Sequence, residues 1–127
     1  MAAVVVGLAA CGDKGPSDSY CDAVQVQLAS VDPLSEPSVR TDPAKLEAAF
    51  RDLVQGYGRL AQLAPTDIRP AAGTVRDGVI KVSNALAAKA WDAAVPNPDL
   101  DAALDDQAYA DALVELRRFN QRECGVG

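Results

Sequence analysis

The sequence predicts an all-α fold, an antiparallel up-down-up-down four-helix bundle. Three observations carry the prediction. Hydrophobic residues make up 49% of the chain, with Ala, Leu and Val dominant and aromatics only 5%; Ala and Leu are the best apolar helix formers. Apolar residues recur at three- and four-residue spacing in four separate stretches, each the signature of one helix face. No stretch alternates apolar and polar residues as a half-buried strand would. At 127 residues the chain is one domain's worth, able to bury roughly two thirds of its unfolded surface.

The first helix is expected from Ser17 or Ser19, either of which can cap it, to about Ser30, with Cys21, Val24, Leu28 and Val31 as its apolar stripe. The segment "SVDPLSEPSVRTDP" carries three prolines and several polar residues and reads as a loop. A second helix opens on Asp42 as N-cap with Pro43 at the first helical position, where its missing N–H costs nothing. Leu46, Phe50, Leu53, Tyr57, Leu60 and Ala64 form its inner face, Glu47 and Arg51 make a surface pair, and Pro65 stops it.

A third helix is expected from a Thr66 cap to about Trp91, along Ile68, Ala72, Val75, Val79, Val82 and Leu86; Pro70 falls near the end of its first turn, where it is partly tolerated. "VPNPDLDAALDD" is the next break, with a short helical turn at 100–104. The fourth helix begins near Asp105. Its stripe is Tyr109, Ala112, Leu113, Leu116, Phe119 and Cys124, and Arg117, Arg118 and Arg122 complement the negative end of its dipole before Gly125 ends it.

Charge and composition exclude several function classes. The net charge of −6 argues against nucleic acid, whose binding relies on Lys and Arg neutralising phosphates. It argues equally against the folded domain lying on an anionic membrane surface. The chain has no His, which removes the commonest general base and metal ligand. A Ser–His–Asp or Cys–His site cannot be built from it. Lys45, Lys81 and Lys89 are scattered, and no carboxylate pair can be placed. The expectation is a non-catalytic protein without metal or cofactor.

The chain starts "MAAVVVGLAAC", an apolar run too short for a bilayer, which needs about twenty residues. It suits the apolar region of an export signal over residues 1–10. Leu8-Ala9-Ala10-Cys11 resembles the lipobox of bacterial lipoproteins: Leu, two small residues, then the Cys that carries lipid. No Lys or Arg precedes the run, which points to a signal beginning upstream of Met1. The alternative is a buried apolar first helix of a cytoplasmic protein with a reduced thiol.

The lipobox resemblance implies an exported protein held on the outer face of the cell membrane by a lipid on Cys11. "GDKGPSDS" then reads as a tether ahead of a helical domain at 19–127. It further implies an oxidising surrounding, in which Cys21 and Cys124 pair as the disulfide that closes the bundle. Two free buried cysteines are the alternative. A loop of roughly a hundred residues closed in this way stabilises by about 4–5 kcal/mol in the chain-entropy model. The bundle topology brings the start of the first helix and the end of the fourth to the same end, as the pairing requires. "SYCDAV" and "RRFNQRECGVG" resemble small exported helical lipoproteins of high-GC Gram-positive, actinobacterial species. That resemblance implies an envelope location and a helical fold, and no activity.

The remaining features have two readings each. Asp99, Asp101, Asp105 and Asp106 are an acidic cluster; they either favour helix N-termini or hold a cation, although no calcium-loop pattern is present. Gly56, Gly58, Gly73 and Gly78 lie inside helices at a cost of roughly 1 kcal/mol each, which points to close helix contact or to a pocket or kink. Trp91 either covers the end of the core or anchors a partner. Two functions follow as expectations. The first is an envelope adaptor that binds a protein partner through the outward loops, with Trp91, Asp99 and Asp101 as contacts. The second is a carrier of a small apolar ligand or lipid between the helices.

Overall fold

A computed structural model describes residues 18–29 and 32–126. The signal segment, Cys11, the tether up to 17, and Ser30 and Val31 lie outside them. The described residues form six helices, in order: α1 Asp18–Leu28, α2 Pro37–Arg40, α3 Pro43–Leu63, α4 Arg69–Ala87, α5 Pro98–Leu104 and α6 Gln107–Cys124. No strand occurs among the described residues, so the all-α expectation holds.

The four-helix bundle does not hold. The first connection, expected as a loop, carries α2, and the helical turn expected at 100–104 in the second is a longer helix, α5, that packs on α4. Proline is the local cause. Pro37 and Pro98 sit in the first turns of α2 and α5, where φ is already helical and no N–H is missed. Asn97 adds the tertiary cause. Its side-chain oxygen accepts from Leu100 N at 3.1 Å, and its Nδ2 donates to Ala85 O at 2.8 Å. Ala85 lies in the last turn of α4, where carbonyls lack helical partners. One buried Asn therefore ties the start of α5 to the end of α4, and Leu100 and Ala103 bury beneath it.

α3 and α4 form the central hairpin. α1 packs on α3 and α6, and α4 also packs on α6. Leu46, Phe50 and Leu60 meet Val75, Val79, Val82 and Leu86 in the core, with Leu116 and Phe119 from α6 and Tyr20 and Val24 from α1. Full burial of each such aliphatic or Phe side chain stabilises by about 1.5–3 kcal/mol. The α3 prediction is close to the structure: Asp42 caps it, accepting from Ala44 N at 3.1 Å and Lys45 N at 3.2 Å, and Pro43 follows.

Several boundaries and faces differ from expectation. Ser19 lies inside α1 rather than capping it, and the buried face is Tyr20, Ala23 and Val24, with Leu28 half exposed. Thr66 lies in a turn and Ile68 is the N-cap of α4, so Pro70 falls in the first turn without penalty. No side chain caps α4; Arg69 in its first turn instead closes the preceding helix, its guanidinium donating to Ala64 O at 3.1 and 2.9 Å at the end of α3. α4 stops at Ala87, short of Trp91, and α6 is capped by Asp106 rather than opening at Asp105. Gly125 ends α6 in the left-handed conformation at φ 74°.

Cys21 and Cys124 form a disulfide, with Cα atoms 5.4 Å apart across 103 positions. Beside it the Tyr20 ring, fully buried, meets Phe119 edge-on at 5.9 Å between centroids. Among the described residues no helix is long and apolar enough to cross a membrane.

Candidate functional site

Between α1, α3, α4 and α6 lies a cavity of about 260 Å³. The helix stripes make its walls. Phe50, Leu53 and Leu60 come from α3, Val79 and Val82 from α4, Leu113 from α6 and Val24 from α1. Leu28 and Leu104 also line it and are 50% and 45% exposed, so the cavity opens to the surface between the end of α1 and the end of α5. Its size lies just under the roughly 300–1,000 Å³ of ligand pockets, and its lining has the usual character of an apolar body with few polar groups.

The polar groups sit on particular positions. Tyr57 on α3 and Tyr109 and Arg117 on α6 line the cavity, with Asp32 from the connection after α1. Burial holds the Tyr57 phenol above its ordinary pKa; Arg117 acts to lower it and Asp32 to raise it. Tyr109 is also pushed up, first by burial, then by Tyr57 and Asp32, with Arg117 opposing. The four groups therefore lie within electrostatic reach of one another. Both phenols are neutral hydrogen-bond donors at physiological pH. Neither hydroxyl has a hydrogen-bond partner among the described residues. Asn120 also lines the cavity, but its Oδ1 is taken by the Tyr20 hydroxyl at 2.5 Å.

Two glycines shape the site. A Cβ on Gly78 would run into the Tyr109 ring, so α4 needs glycine there for Tyr109 to lie against it. A Cβ on Gly56 would meet the Gln27 side-chain amide of α1. The expected close contacts exist at these two positions, with α6 at Gly78 and with α1 at Gly56. Gly58 has nothing within 4 Å, and Gly73 meets only Arg76 of its own helix.

The other residues singled out in the sequence lie elsewhere. Trp91 follows α4, half-buried, with its ring 6.1 Å from Phe50, whose side chain is a cavity wall. Ala90 and Trp91 have φ of 54° and 63°, and Trp91 N donates back to Leu86 O at 2.8 Å. Asp99 and Asp101 are exposed in the first turn of α5, where the dipole favours them. Asp106 is spent on capping α6, accepting from Ala108 N at 2.9 Å. Among the described residues no group of His, Cys, Asp or Glu is placed to hold a metal ion.

Sequence reasoning found Tyr57 and Tyr109 as stripe residues but assigned them to the core. It took Arg117 for a dipole partner and passed over Asn120. The missed signal is a polar residue on an apolar stripe: Tyr109, Leu113, Leu116 and Asn120 share one helical face. No family model, curated protein or solved structure matches the chain.

Proposed function

We propose that this is an exported, lipid-anchored helical domain that carries a small apolar ligand between its helices and performs no chemistry on it. The cavity carries the reading: an apolar space between four helices, open at one edge through two exposed leucines. The lipobox Leu8-Ala9-Ala10-Cys11 supports an anchor on the outer face of the cell membrane. The Cys21–Cys124 disulfide supports an oxidising location.

Decanol titrated into the full chain tests the carrier reading, because Trp91 rests on a cavity wall through Phe50 and its fluorescence reports filling of the cavity. Saturable one-to-one binding that is lost in Val82→Phe, which fills the space, is expected. The absence of a saturable change, with no bound decanol in native mass spectra, refutes it. Anchoring is tested separately by detergent phase partitioning, which Cys11→Ala should abolish.

A protein partner at Trp91, Asp99 and Asp101 is a second reading. It is favoured by the two consecutive left-handed residues at Ala90 and the half-buried Trp91, since such backbone cost concentrates at functional positions. Capture of the same envelope proteins by a Trp91→Ala, Asp101→Ala form as by the parent would count against it.

A further inference from the structure

The polar side of the cavity has an excess of donors. Arg117 brings a guanidinium, and Tyr57 and Tyr109 bring neutral phenol hydroxyls. The acceptors on the same lining are Asn120 Oδ1, which is occupied by Tyr20, the Asp32 carboxylate, one oxygen of which accepts from Leu34 N at 3.0 Å, and Gln27 Oε1. Arg117 has no carboxylate within ion-pair distance among the described residues, whose pairs are Arg76–Asp77 and Arg122–Glu123. A donor cluster beside an apolar wall is completed by a ligand that brings the acceptors, and an Arg fork matches a carboxylate with two parallel hydrogen bonds.

The apolar side limits length. An engineered cavity of about 150 Å³ takes the six carbons of benzene, so 260 Å³ holds an apolar body of about ten carbons. The exposed Leu28 and Leu104 give that body an apolar edge to cross on entry.

Building on the carrier reading above, we propose that the cavity selects amphiphiles of about ten carbons with a carboxylate head, which Arg117 binds with help from Tyr57 and Tyr109. A neutral alcohol of the same length enters the same apolar space but offers the donors one uncharged acceptor, and a quaternary ammonium offers none.

Calorimetric titration of the full chain carrying Cys11→Ala, with decanoate, decanol and decyltrimethylammonium, tests this. Decanoate should bind at least about tenfold tighter than decanol, the effect of one charge-assisted hydrogen-bonded contact, and the cationic probe weakest. Arg117→Gln, on an exposed position of α6, should bring the ratio of decanoate to decanol affinity down to about one. Tyr57→Phe should lower the same ratio by a smaller factor. Equal binding of decanoate and decanol, or a preference that survives Arg117→Gln, overturns the carboxylate inference while the carrier reading stands. If decanol itself does not bind, the carrier reading falls and this inference with it.

Discussion

The Tyr20 hydroxyl donates to Asn120 Oδ1 at 2.5 Å, joining α1 to α6 across 100 positions of sequence. Tyr20 is fully buried and Asn120 nearly so, and the bond lies one residue away from the disulfide at Cys21. Removing one partner of a buried hydrogen bond costs the desolvation of the other, about 1–3 kcal/mol. Tyr20→Phe should therefore lower stability by that amount in urea unfolding. Tyr20→Phe combined with Asn120→Leu should lose less than the two single losses together, because no polar group is then left over from the pair. A strictly additive double mutant would show that the two residues do not act through each other.

The same phenol makes stability sensitive to alkali. Burial pushes the Tyr20 pKa from 10.0 to about 12. Unfolded, it ionises near 10; folded, it keeps its proton. The stability it contributes is complete below pH 10 and is lost as pH rises through about 12. Tyr57 and Tyr109 are shifted the same way and add to the loss. The urea midpoint should fall across this window, and fall less steeply in Tyr20→Phe.

Two glycines should respond oppositely to the same change. At Gly78 an added methyl strikes the Tyr109 ring, and such overpacking costs about 1–3 kcal/mol. At Gly58 nothing lies within 4 Å and the position is inside α3, so alanine should stabilise by about 0.4–1 kcal/mol through the unfolded chain's lost freedom. Thermal unfolding of the two variants, with midpoints moving in opposite directions, is the check. Because Tyr109 lines the cavity, Gly78→Ala should also weaken decanol binding.

Ala90 occupies the place after α4 where helices commonly carry glycine: its φ is 54°, and Trp91 N reaches back to Leu86 O to close the end. The left-handed conformation costs an L-residue about 1–2 kcal/mol, of which glycine's greater unfolded freedom returns part. Ala90→Gly should raise stability by about 0.5–1 kcal/mol. A lower melting temperature in that variant would mean that Ala90 is held by packing rather than strained. Nothing in the sequence marked this turn, since Ala-Ala-Lys-Ala reads as a continuing helix.

Loss of the disulfide should be the largest single effect. Cys21→Ser with Cys124→Ser opens a closure spanning 103 positions, worth about 4–5 kcal/mol in the chain-entropy model. The protein should then unfold at clearly lower urea with its helical spectrum unchanged in native buffer. A change below about 1 kcal/mol would mean that the reduced chain keeps its ends together by other contacts.

What was legible in the sequence was local. Asp42-Pro43 announces the start of α3, the four-three spacing from Leu46 to Ala64 announces its buried face, and Gly125 announces the end of α6; each is a property of a few neighbouring residues and one helix period. α1 was found but its face was misplaced. Eleven residues fit more than one apolar stripe, and Tyr20 was chosen over Leu28 by its partners Phe119 and Asn120.

An all-helical chain, the ends of its longest helix and the residue types from which a site could be made are all written in local sequence. Tertiary contact was needed to extend the helical turn expected at 100–104 to Pro98–Leu104 and to seat it on α4. The reason is that Asn97 gains its second hydrogen bond only once Ala85 stands opposite. It also decided which stripe residues face the cavity. An apolar stripe specifies that a helix face is buried; which part of that face meets another helix and which part borders open space depends on the offsets between helices. Gly56 against Gln27 and Gly78 against Tyr109 record those offsets, and no residue on a single helix encodes them.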